Sequence, residues 1–579
     1  MAEGSTSTIE IDLRGGVYSN ETGYAIGARL RPSSNLAWQP KFSAGAAQGL
    51  ANYCMAPPPR LTFPATIALS SNPVQICGWG VGHNATNQTY ALGFDNSSPA
   101  LFKAWKVFGT GAGSVVGTAD AVTASQSSAN ARTHLSCAAY WEQTGDITIP
   151  ATGVGETTTP THVTGGALFF SHPTINKIFY LLDSSGTTRS YTDDVSNVPA
   201  GAQALLVHLD RLWMAKDIEA AVSQVWYTDP FDAETVRPTN FLYIPDSVTA
   251  LGLNTPGGLD ASAQPHLVIG GRHTIYVLDG DPSQGNALER AIVFNVGVQS
   301  PMAMCTTPYG MVLLATDGQI YLIPPGAQQL VPVGNPIMDQ LANFAPKSDS
   351  TLLVPTSLMW MPPYVYLYSQ NDWNVGWMLE LTDPQQPKWW GPIPHESGSV
   401  NAVFMADDGR GPVAAAVGTQ TLGIMRGISR AATTAPNTFS LSALVWGAAP
   451  QITAVPQTVK TGYLYANGHD IELRRVTLIT NQQTAANLIN YTVVAKTVDG
   501  QSYTGVKQPV PLTALPSTVS PSVDLLNRHT YIFPGMTGVV SDAVWLEITG
   551  TADVATGTTY PPLDLQKLLV TYRTQPKVN

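Results

Sequence analysis

Charge is scarce in this sequence. Asp, Glu, Lys and Arg make up 12 % of 579 residues, against roughly a quarter in ordinary soluble domains. Such a chain is expected to bury much of its surface against partners, because isolated monomers keep more charge outside for solubility. The charge present leans acidic, 40 carboxylates against 29 basic side chains for a net −11. That balance argues against a protein that grips nucleic acid by neutralising phosphates. Cysteine is scarce too. Cys54, Cys77, Cys137 and Cys305 are too few and scattered for a disulfide framework. No pair has the CxxC spacing of a zinc site, so buried free thiols are expected. No apolar run approaches the ~18 residues that span a membrane. Met1-Ala2-Glu3-Gly4-Ser5-Thr6 has neither the basic nor the apolar region of a signal peptide, so a cytoplasm-like compartment is expected.

Catalytic signatures are also missing. There is no GxSxG elbow, no HExxH and no GxxxxGK[ST]. Gly109-Thr110-Gly111-Ala112-Gly113-Ser114 misplaces its third glycine for a phosphate loop and reads as a loop. Asp279-Gly280-Asp281 opens like a calcium loop, but position twelve is Arg290 where a bidentate Glu is needed, so a hairpin turn is expected. Asp193-Asp194 and Asp407-Asp408 offer carboxylates in pairs. Neighbours on one strand point to opposite faces, so neither pair makes a glycosidase dyad. Thr316-Asp317-Gly318 is one fragment of the repeated Asp-box turn of sialidases. His208 with Asp210 and Arg211 reads as hairpin-turn chemistry, and Trp389-Trp390, followed by Gly391-Pro392, as a packed corner. No residue is assigned a catalytic, cofactor-binding or metal-binding role, and no cofactor or small-molecule substrate is expected.

What the chain does have is a short phrase repeated three times: Leu205 to Ala215, Leu267 to Leu278 and Met311 to Ile323. Each is an apolar run, a tight turn (Asp210-Arg211, Gly270-Gly271-Arg272, Asp317-Gly318) and a second apolar run carrying one aromatic. Such turns tolerate positive φ and match the twist of a hairpin. Runs apolar on both sides belong to strands covered on both faces. Trp213, Tyr276 and Tyr321 lie roughly 45 to 65 residues apart, about the length of a four-stranded propeller blade. The expected fold is all-β: a β-propeller-like ring of antiparallel sheets, with an inserted loop region and a C-terminal β-sandwich-like domain. About six or seven units are counted.

Composition shifts divide the chain further. Residues 1–60 carry N-terminal strands and a Pro-rich connector, with a short helix expected at Ser43 to Tyr53. Residues 61–108 read as a first propeller-like unit, and 109–165, rich in Ala, Gly, Ser and Thr, as an insertion projecting from the ring. Residues 166–432 form the main propeller-like domain, with one short helix at Pro336 to Ala345. Residues 433–579 have longer alternating strands and hairpin turns at Asn467-Gly468 and Asp499-Gly500, the pattern of a sandwich whose last strand pairs back onto earlier sheet.

Residues 205 to 345 resemble the core of tail nozzle proteins of short-tailed bacteriophages, also called packaged-DNA stabilisation or tail tubular proteins. The pieces are His208-Leu209-Asp210-Arg211-Leu212-Trp213, Val225-Trp226-Tyr227-Thr228-Asp229-Pro230, Leu267 to Asp281, Gly297-Val298-Gln299-Ser300-Pro301, Leu313 to Leu322 and Asn335-Pro336-Ile337. They cover about a quarter of the chain. The resemblance implies a virion protein that assembles in the host bacterial cytoplasm as a homohexameric ring. That ring would meet the phage adaptor, and in some cases tail fibres or a tail needle. It would retain packaged double-stranded DNA and conduct it at ejection without specific binding. Two alternatives stand beside it: a tail fibre or spike with polysaccharide-binding or depolymerase activity, and a non-viral β-propeller binding module.

Overall fold

A computed structural model describes residues 6–14, 16, 30–31, 37–41, 52–56, 66–68, 73–82, 88–95, 101–106, 115–121, 137–141, 146–149, 161–164, 166–172, 175–182, 188–219, 221–254, 265–278, 281, 283, 288, 291–326, 329–341, 356–361, 364–369, 375–383, 386–394, 400–406, 411–416, 421–424, 457–466, 469–480, 489–508, 528–537, 539–552 and 565–576. Seven antiparallel four-stranded sheets are found among them.

Six of these sheets are continuous in sequence. Blade 1 is Pro73–Gly82, Gln88–Asp95, Leu101–Lys106 and Val115–Ala121, and blade 2 is Cys137–Trp141, Ala167–Ser171, Ile178–Leu182 and Thr188–Ser190. Blade 3 is Ala204–His208, Arg211–Glu219, Val222–Tyr227 and Phe241–Ile244; blade 4 is Val248–Asn254, His266–Gly271, Ile275–Leu278 and Ile292–Phe294. Blade 5 is Met304–Thr307, Gly310–Leu314, Ile320–Ile323 and Val331–Pro332, and blade 6 is Thr356–Met361, Tyr364–Ser369, Val375–Glu380 and Lys388–Pro394. Blade 7 takes three strands from Val400–Ala406, Gly411–Ala416 and Thr421–Ile424. Its fourth is Thr66–Ala68, which pairs Leu422 with Ile67. The first strand of each blade touches that of the next, and blade 7 touches blade 1 in the same way. The molecule is therefore a seven-bladed β-propeller, with first strands around the axis and a strand from before blade 1 closing the ring.

Packing follows from that ring. Every residue of Gly310–Leu314 is buried, because the strand has a blade on each face and so needs apolar side chains on both. Trp389 and Trp390 are buried as well, their indole N–H groups donating to Val333 O (2.7 Å) and Glu380 Oε2 (2.9 Å).

The structure redraws two boundaries. Residues 109–165 are not one projecting insertion: they supply the outer strand of blade 1 and the inner strand of blade 2. Among the described residues of this stretch, only the hairpin Asp146–Ile149 with Thr161–Thr164 stands between blade strands. The second domain is not C-terminal alone. One of its sheets joins Thr6–Ile11, Ala37–Lys41 and Asn52–Ala56 to His469–Thr480, Val506–Lys507, Arg528–Ile532 and Leu565–Pro576. The other joins Leu30–Arg31 to Gln457–Thr461, Leu464–Tyr465, Ile489–Thr497, Ser502–Thr504 and Ala543–Ala552. The last strand pairs with the first, Ile9 opposite Val570. Tyr531 ties the sheets by donating to Tyr491 O at 3.0 Å. One apolar cluster runs from blades 4, 5 and 6 into both of these sheets and includes Ile11, Leu13 and Leu30 of the N-terminal arm.

Local expectations fare unevenly. Within Ser43 to Tyr53, residues 43–51 lie outside the described residues, and the chain is already strand from Asn52. Around Pro336 the chain makes a 3-10 turn, Asn335–Ile337, and one α-turn, Met338–Leu341, that bury Ile337 and Leu341. At Asp499-Gly500 the turn closes with Gly500 at φ +82°, its N–H donating to Thr497 O at 3.1 Å. Residues 467 and 468 lie outside the described residues, but Ala466 and His469 bridge across them.

Leu313 is fully buried at the centre of blade 5. Leu313→Ala is expected to cost about 3 kcal/mol through lost transfer energy and the cavity left behind. A lowered unfolding midpoint in urea, with an unchanged circular dichroism spectrum, is the readout.

Candidate functional site at the seam of blades 4 and 5

A cleft of about 640 Å³ opens among the described residues where blade 4 meets blade 5. That is within the range of ligand-binding clefts. It is lined by Val293, Phe294, Asn295, Val296, His273, Thr316, Asp317, Tyr321, Leu330 and the backbone of Gly297.

Its walls are held by hydrogen bonds from both blades. Asp246, buried between blades 3 and 4, accepts at Oδ2 from His273 N (2.7 Å), Thr274 N (2.9 Å) and Thr274 Oγ1 (2.9 Å), and at Oδ1 from Ser247 N (2.8 Å). One carboxylate thus fixes the turn that presents His273. The floor is the connection between the blades. Val298 N donates to Gly271 O (2.8 Å) and Thr316 N to Gly297 O (3.0 Å), while Gly297 N reaches Thr316 Oγ1 (3.2 Å). Only glycine fits at 297, since a Cβ there would lie 1.9 Å from Arg272 O. On the blade 5 side, Asp317 accepts from Gln319 N (2.9 Å) and from the Tyr321 hydroxyl (2.8 Å). Partial burial, and then the Asp317 carboxylate, push the Tyr321 hydroxyl up to about 12, so it remains a donor at neutral pH. The fourth wall is the outermost strand of blade 4, where Val293 is 47 % exposed.

The residues singled out from sequence are not brought together here, apart from Asp317. His208 lies at the far end of the blade 3 hairpin, whose turn is Leu209-Asp210, both at positive φ (50° and 52°), rather than Asp210-Arg211. Arg211 donates to Thr228 O (2.7 Å) and sits 5.4 Å from the Tyr227 ring centre. Asp193 and Asp194 stand on a helical turn, Tyr191–Asp194, not on a strand. Asp193 pairs with Lys177 (2.7 Å), and Asp194 with Arg189 (2.9 Å) and the Tyr180 hydroxyl (2.8 Å). Both are structural ion pairs. Trp389 and Trp390 are a packed corner and present no ring to a sugar. Asp281 accepts from Ser283 N and Oγ. Residues 109–114, 279–280 and 407–408 lie outside the described residues. Cys137 and Cys305 are free thiols, each pushed up to about 12 by burial, which disfavours the reactive thiolate. The side chains of Cys54 and Cys77 lie outside the described residues. Among the described residues, no three His, Cys, Asp or Glu side chains are grouped to hold a metal ion. Asp246 and Tyr321 were missed as site-builders, because their roles come from contacts made across a seam.

No protein-family model matches the chain, and no curated protein matches it. Among solved structures it is similar to the WD40 repeats of RRP9 at 13 % identity and a TM-score of 0.37, covering 69 % of this chain and 98 % of that one. It is similar to U3-55K at 14 % and 0.37, covering 64 % and 96 %, and to the WD40 β-propeller domain of Doa1 at 10 % and 0.34, covering 63 % and 95 %. The class defined is the β-propeller. No comparison supports the tail-nozzle function implied by the resemblance, and that expectation is withdrawn: the solved structures that are similar are WD40 propellers. The likeness extends to the fold alone, so the function has to be argued from the site.

Two predictions follow from this geometry. Asp246→Ala removes the acceptor of three backbone N–H groups and one hydroxyl, and a loss of about 3 kcal/mol in urea unfolding is expected, with less for Asp246→Asn. The second concerns acid. His208 is buried, its Nε2 without a hydrogen-bond partner among the described residues, and burial lowers its pKa to about 4, with Asp281 partly opposing and His266 adding. A folded pKa below the ordinary 6.5 means that the unfolded chain takes the proton first as pH falls. Stability is then complete above about pH 6.5 and is lost toward pH 4 at about 1.4 kcal/mol per pH unit. His529, lowered to about 4 by its own burial and by Lys507, acts in the same direction. Urea midpoints between pH 7 and pH 4.5 should fall, and His208→Gln should make that fall shallower.

Proposed function

We propose that this protein is a β-propeller binding module, acting without catalysis, whose cleft between blades 4 and 5 receives an extended segment of a partner protein. The observation that carries this reading is the cleft itself. It is open and rigidly framed, and one wall is an outermost strand, Ile292–Phe294, which among the described residues is bonded on one side only, to Ile275–Leu278. An unpaired strand edge offers backbone donors and acceptors to a peptide that adds as a further strand, while pockets beside it select side chains. The apolar lining, Val293, Phe294, Val296 and Leu330, supplies burial for those side chains. Exposed apolar surface at a strand edge costs solubility unless a partner covers it.

A random heptapeptide library displayed on yeast tests the reading, with the purified full chain and its Val293→Lys variant as baits. Peptides enriched by the wild-type chain should lose at least about tenfold in affinity for the variant, because a charge then lies in the apolar wall. Equal melting temperatures of the two baits show that the fold is kept. Enrichment that does not differ between the baits, or none, would refute the cleft as the binding surface.

A further inference from the structure

Resting on the binding reading above, the geometry points to the chemistry of the bound segment: we propose that it carries an arginine or lysine, flanked by apolar residues, whose cationic end docks on Asp317. Asp317 lines the cleft and is exposed, and both of its carboxylate oxygens are engaged by neutral donors, the Gln319 N–H and the Tyr321 hydroxyl. No cationic side chain among the described residues lies within ion-pair distance of it, not even Arg272, exposed on the turn beside His273. Other carboxylates of the fold have such partners. Asp193 has Lys177, Asp194 has Arg189, Asp229 has Arg237, and Glu547 has Lys496. Asp317 is thus an exposed carboxylate on the cleft wall with no such partner among the described residues.

The lining suits a guanidinium or ammonium on a hydrocarbon stem. Phe294 and Tyr321 place two aromatic rings in the same cleft, and an aromatic face attracts a cation that a carboxylate holds nearby. Val293, Val296 and Leu330 receive the methylene stem and the neighbouring apolar side chains. The chain's net charge of −11 adds long-range attraction for a basic segment and weakens as salt is raised. An acidic segment meets the opposite conditions at every one of these points. Bidentate geometry favours arginine over lysine against a carboxylate.

The same displayed library decides the matter. Peptides whose binding is lost on Val293→Lys should be enriched in Arg, and less so in Lys, next to apolar residues. A synthetic copy should bind Asp317→Asn about tenfold more weakly than wild type, as expected for one charge-assisted pair. Asparagine keeps the acceptor for Gln319 N, so the turn is preserved. Replacing the peptide's Arg by Gln should cost a similar factor, and the two changes together little more than either alone. Cleft-dependent peptides without a basic residue, or basic ones that bind Asp317→Asn as tightly as wild type, would overturn the cation assignment and leave the binding reading standing. Peptides that bind the Val293→Lys bait as tightly as wild type would instead remove both.

Discussion

Closure of the ring is the constraint on which the remaining structure depends. A four-stranded sheet with two apolar faces has no stable existence in water, and only a neighbour on each side hides both faces. Seven blades in a closed circle give every blade two neighbours; an open arc would leave two faces wet. The hydrogen bonds that complete the circle join residues 66–68 to 421–423. Joining such distant segments costs surprisingly little beyond the closing of a short loop, because closure entropy grows only with the logarithm of length. The second domain repeats the device, with Thr6–Ile11 pairing the last strand of the chain. The first and last described strands are thus tied into one sheet.

A closed ring also determines where anything can bind. Blade interiors are packed, so accessible chemistry is confined to the two faces, the rim and the seams. Seams are where side chains from two sheets converge without being hydrogen-bonded to each other by a ladder. At the seam of blades 4 and 5, the connection 295–298 is laced to turns of both blades, through Val298 N to Gly271 O and Thr316 N to Gly297 O. The cleft above that floor therefore has walls fixed by backbone hydrogen bonds, and a partner loses little free energy in ordering them.

The hairpins were legible because their chemistry is local. Leu267 to Leu278 and Met311 to Ile323 are second-to-third-strand hairpins of blades 4 and 5. Leu205 to Ala215, read as the same phrase, is instead a first-to-second-strand hairpin. Apolar run, turn and apolar run describe either equally well, which is why the blade count stayed open at six or seven. The strands of 115–121 and 137–141 were hidden for another reason. The Ala, Gly, Ser and Thr content of the surrounding stretch 109–165 reads as loop, and pairing with blades already formed outweighs that weak local preference. The division between propeller and sandwich failed at the N-terminus because strand partners hundreds of residues away leave no trace in composition. The cleft was almost illegible: Thr316-Asp317-Gly318 stood out as a turn, but Asp246, Val293 and Tyr321 acquire their roles only across a seam. The phage resemblance rested on the order of such hairpin phrases, and a propeller of any function contains them.

A comparison of adjacent seams shows why one is open. On the same face of the disc, at the seam of blades 3 and 4, Asp217 accepts from Gln203 Nε2 (2.8 Å), Ser223 Oγ (2.5 Å) and Ser247 Oγ (2.5 Å), the last from the lead-in to blade 4. Ser223 Oγ in turn accepts from Val248 N at 2.8 Å. Short polar side chains fill that seam, and its carboxylate is consumed in joining the two blades. One seam on, that joining falls to backbone groups and to Thr316. The local carboxylate, Asp317, turns back to its own blade to meet Gln319 and Tyr321. Backbone joins two blades through a thin floor and leaves the space above it empty, whereas side chains occupy that space. Asp317 is held by its own blade and is not used to join two, so it remains on the cleft wall within reach of a partner, and this sets the blade 4–5 seam apart from its neighbour.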